Sequence, residues 1–216
     1  MIEVSGLSKS FNHQPVLSDL NLIVQDGEMV LIMGESGCGK TVLLKTINGL
    51  LKPDKGSVLI DGVEINKLPE SELLKIRIKI GFVFQSDALF DSLNVYENLA
   101  LFLRMQRRPN ITEQVKEALS FVGLLGKERF LPSELSGGMK KRVAIAREII
   151  RKPKYLLLDE PTANLDGENT GVIVELIKKM QMMGMTTIIV THDPRIRDNI
   201  EARVLFLRGG KLWEGR

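Results

Sequence analysis

The chain has 216 residues, enough for one substantial domain with a subdomain inserted in it. Apolar residues make up 44% and charged residues 26%, as is usual for globular proteins, and a formal charge of +3 is too weak to indicate a nucleic-acid partner. The single cysteine excludes an intrachain disulfide, and no apolar run approaches the about 18 residues that cross a bilayer.

The N-terminus and the basic clusters carry no targeting or nucleic-acid signal. Residues 1–5 lack the basic and apolar regions of a signal peptide, so the reducing cytosol is the expected compartment. The basic side chains are better interpreted as solvated helix faces, or as a surface for an acidic partner, than as a nucleic-acid site. They are Arg104, Arg107, Arg108, Lys140, Lys141 and Arg142.

Strand patterns occupy the first part of the chain. Alternation and continuous apolar runs predict strands at residues 2–4, 20–24, 29–33, 57–60 and 80–84. The run at 29–33 has the composition of a fully buried central strand and leads into a glycine-rich loop. A helix is predicted after that loop, from about Lys40 to Leu50.

Helical spacing replaces the strand pattern between residues 86 and 154. The helices predicted there are residues 95–105, 112–122 and 138–151. Four strands are predicted after this region, at residues 155–158, 186–190, 203–207 and 211–213, and one helix at residues 167–183. The pattern therefore indicates an α/β domain with a helical insertion of roughly seventy residues.

The glycine-rich loop matches the phosphate-binding pattern G-x-x-x-x-G-K-[ST] between a buried strand and a helix. Its glycines let successive backbone N–H groups face phosphate oxygens, and the helix N-terminus adds a partial positive charge. Lys40 is expected to reach the β- and γ-phosphates and the Thr41 hydroxyl to ligate Mg²⁺, so ATP and Mg²⁺ are the predicted ligands. The binding residues predicted here are Gly34, Glu35, Ser36, Gly37, Cys38, Gly39, Lys40, Thr41 and Val42.

Two carboxylates end the apolar strand at residues 155–158. Asp159 is expected to hold Mg²⁺, and Glu160, which points in a different direction, to take a proton from the attacking water. An acidic pair at a strand end is commonplace by itself. After a phosphate loop, however, it indicates a hydrolytic site.

A serine and two glycines stand at the start of the helix predicted at 138–151. Ser136 suits an N-cap position, and Gly137 and Gly138 allow an anion to approach the backbone closely. Taken alone, this pattern is better explained as a plain helix cap with a glycine turn.

Taken in order along the whole chain, these motifs resemble those of ABC-type ATPases, the nucleotide-binding subunits of ATP-binding-cassette transporters. The further matching segments are Gln85, Leu135–Gly138, Leu158–Pro161, Leu165-Asp166 and His192. The resemblance implies a P-loop NTPase core of the RecA type with an N-terminal antiparallel β subdomain and an inserted helical subdomain. Within a single domain of residues 1–216, the core is expected at 1–85 and 155–216 and the helical subdomain at 86–154.

The resemblance also implies roles for single residues. Gln85 would contact Mg²⁺ and the attacking water, Glu160 would be the general base, and His192 would contact the γ-phosphate; with Lys40 they form the expected catalytic set. Phe11 matches the aromatic residue that stacks on adenine, where the family more often has Tyr. The alternative for Phe11 is a core phenylalanine near a strand end.

In this family two chains meet head to tail, so the resemblance implies a homodimer. Residues 136–139, the signature segment, would close on the ATP held by the opposite chain, with the Ser136 hydroxyl as a γ-phosphate clamp at a helix N-terminus. Residues 164–166 match the loop that crosses to the other subunit, although the family usually has Ser-Ala where this chain has Ala163-Asn164. The residues expected to bind the partner's nucleotide are Ser136, Gly137, Gly138 and Met139.

Residues 85–98 and 139–142 resemble the branch that powers Mla- and Mce-type lipid transport in bacterial envelopes. Met139 stands where many family members have Gln. Members of this branch often carry a C-terminal extension, and since the sequence ends at Arg216 a dimer contact made by such a tail is expected to be missing. The alternative within the family is a lipoprotein-releasing or macrolide-type exporter ATPase.

The resemblance implies a peripheral protein at the cytoplasmic face of the inner membrane, bound to integral permease subunits. Leu89, Phe90 and Leu93 lie where the family forms a groove for the coupling helix of the membrane subunit, and these apolar residues would otherwise be exposed. A lipid-carrier protein of the same system is a further expected partner, and no nucleic acid is expected.

Other classes of protein fit the pattern less well. A cytosolic ABC ATPase of DNA repair or translation would carry a coiled-coil or zinc insert, or two fused cassettes. A small-molecule or nucleoside kinase would need neither the signature serine nor the pair Asp159-Glu160, and a pure binding module would not need Glu160.

Overall fold

The computed structural model describes residues 1–215, in which ten strands form two sheets and seven α-helices cover them. The strands are β1 (Ile2–Phe11), β2 (Gln14–Val24), β3 (Met29–Met33), β4 (Lys55–Ile60), β5 (Val63–Glu64), β6 (Ile80–Val83), β7 (Tyr155–Asp159), β8 (Thr186–Thr191), β9 (Arg203–Arg208) and β10 (Lys211–Glu214). The helices are α1 (Lys40–Ile47), α2 (Glu70–Arg77), α3 (Val95–Met105), α4 (Ile111–Phe121), α5 (Gly137–Ile149), α6 (Gly167–Met182) and α7 (Pro194–Arg197). Arg216, at which the expectation about a C-terminal tail was placed, lies outside the described residues.

The larger sheet has the strand order β10-β9-β3-β8-β7-β6. Its strands run parallel except β10, which forms an antiparallel hairpin with β9. All of β3 is buried: Met29, Leu31 and Met33 face one core cluster, while Val30 and Ile32 face the other. Because both faces of the sheet are covered, its central strands are continuous apolar runs rather than alternating ones, as the sequence predicted.

The smaller sheet is antiparallel, in the order β2-β1-β4-β5, and shares a core with α1 and one face of the parallel sheet. Its first two strands are longer than the sequence predicted. They continue to a tight turn at Asn12 and His13, which both have positive φ. The additional strand residues are largely polar and half-exposed, so they lack the alternation that marks a strand in the sequence.

Helices α3, α4 and α5 pack together against the other face of the parallel sheet. Within the described residues no strand lies between β6 and β7, which agrees with the predicted helical subdomain, although the bounds 86–154 stay a prediction. The solvated-face interpretation is wrong for Lys141, which is buried, and for Arg142, which is half-buried and donates to the Val122 and Gly123 carbonyls. Among residues 1–215, no helix has the length and apolar character to cross a membrane.

Helix α2 was not predicted. It buries only Leu73 and Ile76, and its other positions are mostly charged or exposed. A segment this short and polar gives little helical periodicity in the sequence. Helix α2 supports α1, because Arg77 donates to the carbonyls of Asn48 and Gly49 and so binds the C-terminal end of α1.

Candidate active site

Residues from four parallel strands meet at one edge of the larger sheet. The carboxyl ends of β3, β6, β7 and β8 lie at this edge, the usual place for a ligand in a parallel sheet. A cavity of about 260 Å³ opens there beside the phosphate loop. It is lined by Val16, Ser36, Gly37, Gly39, Lys40, Thr41, Val42, Gln85, Glu160 and His192.

The phosphate loop ends at Gly39, where α1 begins. Gly39 has φ 107°, and a Cβ at this position would lie 2.9 Å from Val16 Cγ1, so the turn requires glycine. No side chain within the described residues caps α1, which leaves the first-turn N–H groups of Lys40, Thr41 and Val42 without a helical partner. An uncapped helix N-terminus facing a cavity is suited to a phosphate group.

Lys40 is buried at the base of this cavity. Its Nζ donates to the carbonyls of Gly34 at 2.7 Å and Glu35 at 2.9 Å, and lies 3.1 Å from Glu160 Oε1. The ammonium is therefore compensated by three oxygens of the chain. An arriving phosphate has to compete with the Glu160 carboxylate for it.

Asp159 and Thr41 form the candidate Mg²⁺ site. Thr41 Oγ1 donates to Asp159 Oδ1 at 3.0 Å. Burial raises the pKa of Asp159, the Thr41 hydrogen bond opposes this, and the neighbouring Glu160 charge raises it further. A hydroxyl and a carboxylate fit Mg²⁺, which completes its shell with water and substrate phosphates. Within residues 1–215, no group of three or more His, Cys, Asp or Glu side chains is placed to hold a metal ion.

Gln85 and Cys38 lie at opposite sides of this site. Gln85 is exposed and borders both the cavity of about 260 Å³ beside the phosphate loop and a second cavity of about 390 Å³, which Thr41 and Asp159 also line. Cys38 is half-buried and, with Glu35, faces a third cavity of about 470 Å³ on the other side of His192. Gln85 is therefore placed beside the candidate metal ligands.

Glu160 is buried and accepts several hydrogen bonds. Its Oε2 accepts from the Thr191 hydroxyl at 3.0 Å, from the His192 backbone N–H at 3.3 Å, and lies 3.0 Å from His192 Nδ1. Burial alone raises the pKa of this carboxyl, but hydrogen bonds from His192, Lys40 and Thr191 outweigh burial and leave the pKa below its usual value. Glu160 is thus a fixed, ionised carboxylate at neutral pH.

The structure adds two residues to the site that the sequence did not indicate. The Thr191 hydroxyl donates to Glu160 and accepts from the Asp193 N–H at 3.0 Å, so it aims the carboxylate. Val16, on β2, packs beside Gly39 and lines the cavity. Thr191 could have been noticed as a short polar residue beside His192, whereas nothing in the sequence around Val16 points to the site.

Phe11 lies at the end of β1, next to the hairpin turn, and pairs with Gln14 of β2. Its side chain is 43% exposed, so the alternative of a core phenylalanine is wrong. Lys9 Nζ lies 5.5 Å from the centre of its ring. An exposed ring on the strand pair that carries Val16 agrees with the adenine-stacking role, which stays a prediction.

The signature segment is separate from the phosphate loop of its own chain. Ser136 caps α5 by accepting the Met139 N–H at 3.3 Å, and Ser136 and Gly137 are exposed, whereas Met139 is half-buried. Gly138 is buried, and a Cβ there would lie 2.0 Å from Asn169 Oδ1, so this glycine serves helix packing. Within the described residues, none of 136–139 lines the cavities around the phosphate loop.

Known proteins are similar to this chain in sequence and in fold. A family model described as ABC transporter matches residues 17–163. The methionine import ATP-binding protein MetN of Legionella pneumophila (strain Lens) is 42% identical over 217 residues, which cover 99% of this chain and 64% of that protein. The probable ribonucleotide transport ATP-binding protein mkl of Mycobacterium tuberculosis is 41% identical over 199 residues, covering 90% of this chain and 55% of that protein. The chain thus spans only part of the length of these relatives.

Two solved structures superpose on almost the whole chain. The ATP-binding cassette MJ0796, in a dimeric post-hydrolysis state bound to ADP and Pi, has a TM-score of 0.90 and 35% identity over 100% of this chain and 99% of its own. The cbiO1 structure from Clostridium perfringens, part of the ABC transporter complex cbiONQ, has a TM-score of 0.88 and 33% identity over 98% of this chain and 86% of its own. We conclude that the chain belongs to the ABC transporter family and forms an ABC-type ATPase domain.

Proposed function

We propose that the chain binds ATP with Mg²⁺ and hydrolyses it as a head-to-tail homodimer, to drive transport through a separate membrane permease. One observation carries this proposal. Lys40 and Glu160 line one cavity and Asp159 lines a second, with Thr41 and Gln85 bordering both, while Ser136 and Gly137 are exposed elsewhere, available to a second chain. A single chain therefore holds two complementary parts of a hydrolytic site that do not meet each other.

The ion pair between Lys40 and Glu160 has a place in this mechanism. Attraction of Lys40 to the β- and γ-phosphates draws the ammonium from Glu160 Oε1, which then accepts a proton from the attacking water. Thr191 and His192 hold Oε2 meanwhile, so the carboxylate keeps its orientation. Thr41 and Asp159 would hold Mg²⁺, with Gln85 beside them; the ion supplies positive charge against the phosphates.

Release of inorganic phosphate from ATP-Mg²⁺, with no acceptor molecule present, tests this proposal. We expect release whose specific rate rises steeply with protein concentration, because each complete site needs two chains. ATP binding without phosphate release, or phosphate transfer to an added small-molecule acceptor, would contradict it and favour a binding module or a kinase.

For the cargo, we propose lipid or phospholipid transport in a bacterial envelope, with a lipid-carrier protein in the same system. Residues 85–98 and 139–142 support this through their resemblance to that branch. The relatives above are named for methionine import and ribonucleotide transport, so uptake of a small polar solute is the second candidate. A permease gene beside a lipid-carrier gene would support the first, and a permease beside a solute-binding protein would contradict it.

A docking surface on the helical subdomain would join the chain to the permease at the cytoplasmic face of the membrane. Of the three predicted groove residues only Phe90 is exposed, at 51%; Leu89 and Leu93 are half-buried. The buried Asn98 holds this loop, because its Oδ1 accepts the Phe90 N–H at 2.9 Å and its Nδ2 donates to the carbonyls of Phe90 at 3.1 Å and Leu93 at 2.8 Å. A fixed loop that presents one aromatic ring outward is suited to docking.

Phe90→Ala is expected to weaken binding of the permease roughly 30-fold, since an exposed aromatic anchor is lost, while ATP binding stays unchanged. Co-purification of the chain with its permease subunits measures the first effect, and equilibrium dialysis of ATP the second. Leu125→Ala, which removes another exposed apolar side chain of the same region, is the control. Equal co-purification of Phe90→Ala and the unaltered chain would show that this surface is not the docking site.

A further inference from the structure

Helix α5, which begins at the signature glycines, also holds the segment that carries Gln85. We name residues 84–88 the glutamine loop. Lys141, only 2% exposed, donates from Nζ to the carbonyls of Gln85 at 2.7 Å and Phe84 at 3.2 Å, and its Nζ lies 2.9 Å from Asp87 Oδ1. The backbone of the glutamine loop is therefore bound directly to the helix of the signature segment.

Arg147, further along the same helix, binds the other end of the glutamine loop. It donates from Nη1 to the Ala88 carbonyl at 2.6 Å and from Nη2 to the Asp87 carbonyl at 3.4 Å. Lys140, the neighbour of Lys141, makes no hydrogen bond or ion pair with this loop among the described residues. The attachment of the glutamine loop to α5 is thus made by Lys141 and Arg147.

The attachment at Lys141 is strong for a physical reason. A buried ammonium is tolerated only when oxygens replace its water, and here the glutamine loop supplies these oxygens. Separating the loop from α5 would leave a buried charge without its partners and would break its hydrogen bonds to two carbonyl groups. The loop backbone and the helix therefore move together rather than independently.

The side chain of Gln85, in contrast, is free to respond to a ligand. It is exposed, borders the cavities at the phosphate loop, and makes no hydrogen bond within residues 1–215. One residue thus presents its side chain to the candidate nucleotide site and its backbone to the signature helix. This places Lys141 between the two parts of the site.

We propose that Lys141 is a positioning residue that couples the Gln85 side chain to the signature segment. The inference rests on the proposed function. A shift of Gln85 toward the occupied site moves the loop carbonyls, and the ammonium of Lys141 transmits this movement to α5 and Ser136. The coupling is reciprocal, so engagement of Ser136 by a second chain in turn favours the Gln85 position.

The variant Lys141→Met removes the ammonium and keeps the length of the side chain. We expect the KM for ATP to stay near that of the unaltered chain, while kcat falls about 2- to 30-fold. Lys141→Arg retains a cation with several donors and is expected to recover most of the loss. Lys116→Met, an exposed lysine of α4, is the matched control and should behave as the unaltered chain does.

Hydrogen exchange measures the coupling itself, with β,γ-imido-ATP and Mg²⁺ as the added ligand. In the unaltered chain we expect residues 84–88 and 136–140 to gain protection together. In Lys141→Met we expect 84–88 to respond without 136–140. If Lys141→Met does not fold, Lys141→Gln, which keeps an N–H donor but on a shorter and uncharged side chain, takes its place, and we expect changes in the same direction but smaller.

The outcomes separate this inference from the function on which it rests. If Lys141→Met keeps the kcat of the Lys116→Met control, and residues 84–88 and 136–140 still gain protection together, the inference is wrong and the proposed function stands. If the unaltered chain neither binds nor hydrolyses ATP, the proposed function itself is contradicted.

Discussion

Glu160→Gln is expected to lower the rate of ATP hydrolysis by about 100-fold or more while the chain still binds ATP. The amide has the shape of the carboxylate and can still accept from Thr191 and His192, but it cannot take a proton from water. It also loses the ion pair with Lys40, which leaves the ammonium available to phosphates. Phosphate release in a single turnover measures the rate.

The same variant is expected to accumulate as an ATP-bound dimer, because the γ-phosphate that links the two chains is not removed. Light scattering with and without ATP-Mg²⁺ measures this. Glu168→Gln, an exposed carboxylate in the first turn of α6, is the control and should keep both the hydrolysis rate and the monomer–dimer behaviour of the unaltered chain. A Glu160→Gln chain that remained monomeric with saturating ATP would contradict the two-chain mechanism.

Gly138→Ala is expected to lower the free energy of unfolding by about 1–3 kcal/mol, because its methyl group would overlap Asn169. The added Cβ would lie 2.0 Å from Asn169 Oδ1 and 2.9 Å from Asn169 Cβ, so α5 and α6 have to separate. Urea unfolding measures the change. Hydrolysis should fall as well, since Ser136 moves with the start of α5.

Gly137→Ala is the matched control, since a Cβ there meets no atom within 4 Å. Both glycines lie in the first turn of α5, so the gain in helix propensity on substitution by alanine is similar. The difference in unfolding free energy between the two variants therefore measures the steric overlap. The double variant Gly138→Ala with Asn169→Gly should regain stability. Equal stability of the two single variants would show that the packing of α5 on Asn169 is not tight.

Much of the parallel sheet was predictable because its strands are buried on both faces. The apolar runs at β3, β7 and β8 need no long-range information, and each leads directly to site residues. The polar halves of β1 and β2 were not predictable, because their strand conformation comes from pairing with each other rather than from an apolar face. Helix α2 was missed for its short length and few buried residues.

The residues of the candidate site also differ in whether the sequence alone could predict them. Lys40, Glu160 and His192 occur in local patterns whose chemistry can be inferred from neighbouring residues. Thr191 and Lys141 act through contacts that only the fold creates. Lys141 is the clearest example, since a lysine in a basic run favours solvent in the sequence, yet the glutamine loop supplies oxygens that bury it.

Mixing two inactive variants tests most directly the claim that two chains share each hydrolytic site. A Lys40→Ala chain keeps an intact signature segment, and a Ser136→Glu chain, whose carboxylate repels the γ-phosphate, keeps an intact phosphate loop. A mixed dimer then contains one complete site, built from the loop of the second variant and the signature of the first. We predict that the mixture releases phosphate from ATP faster than the sum of the two variants measured separately. A mixture no faster than that sum would contradict the account.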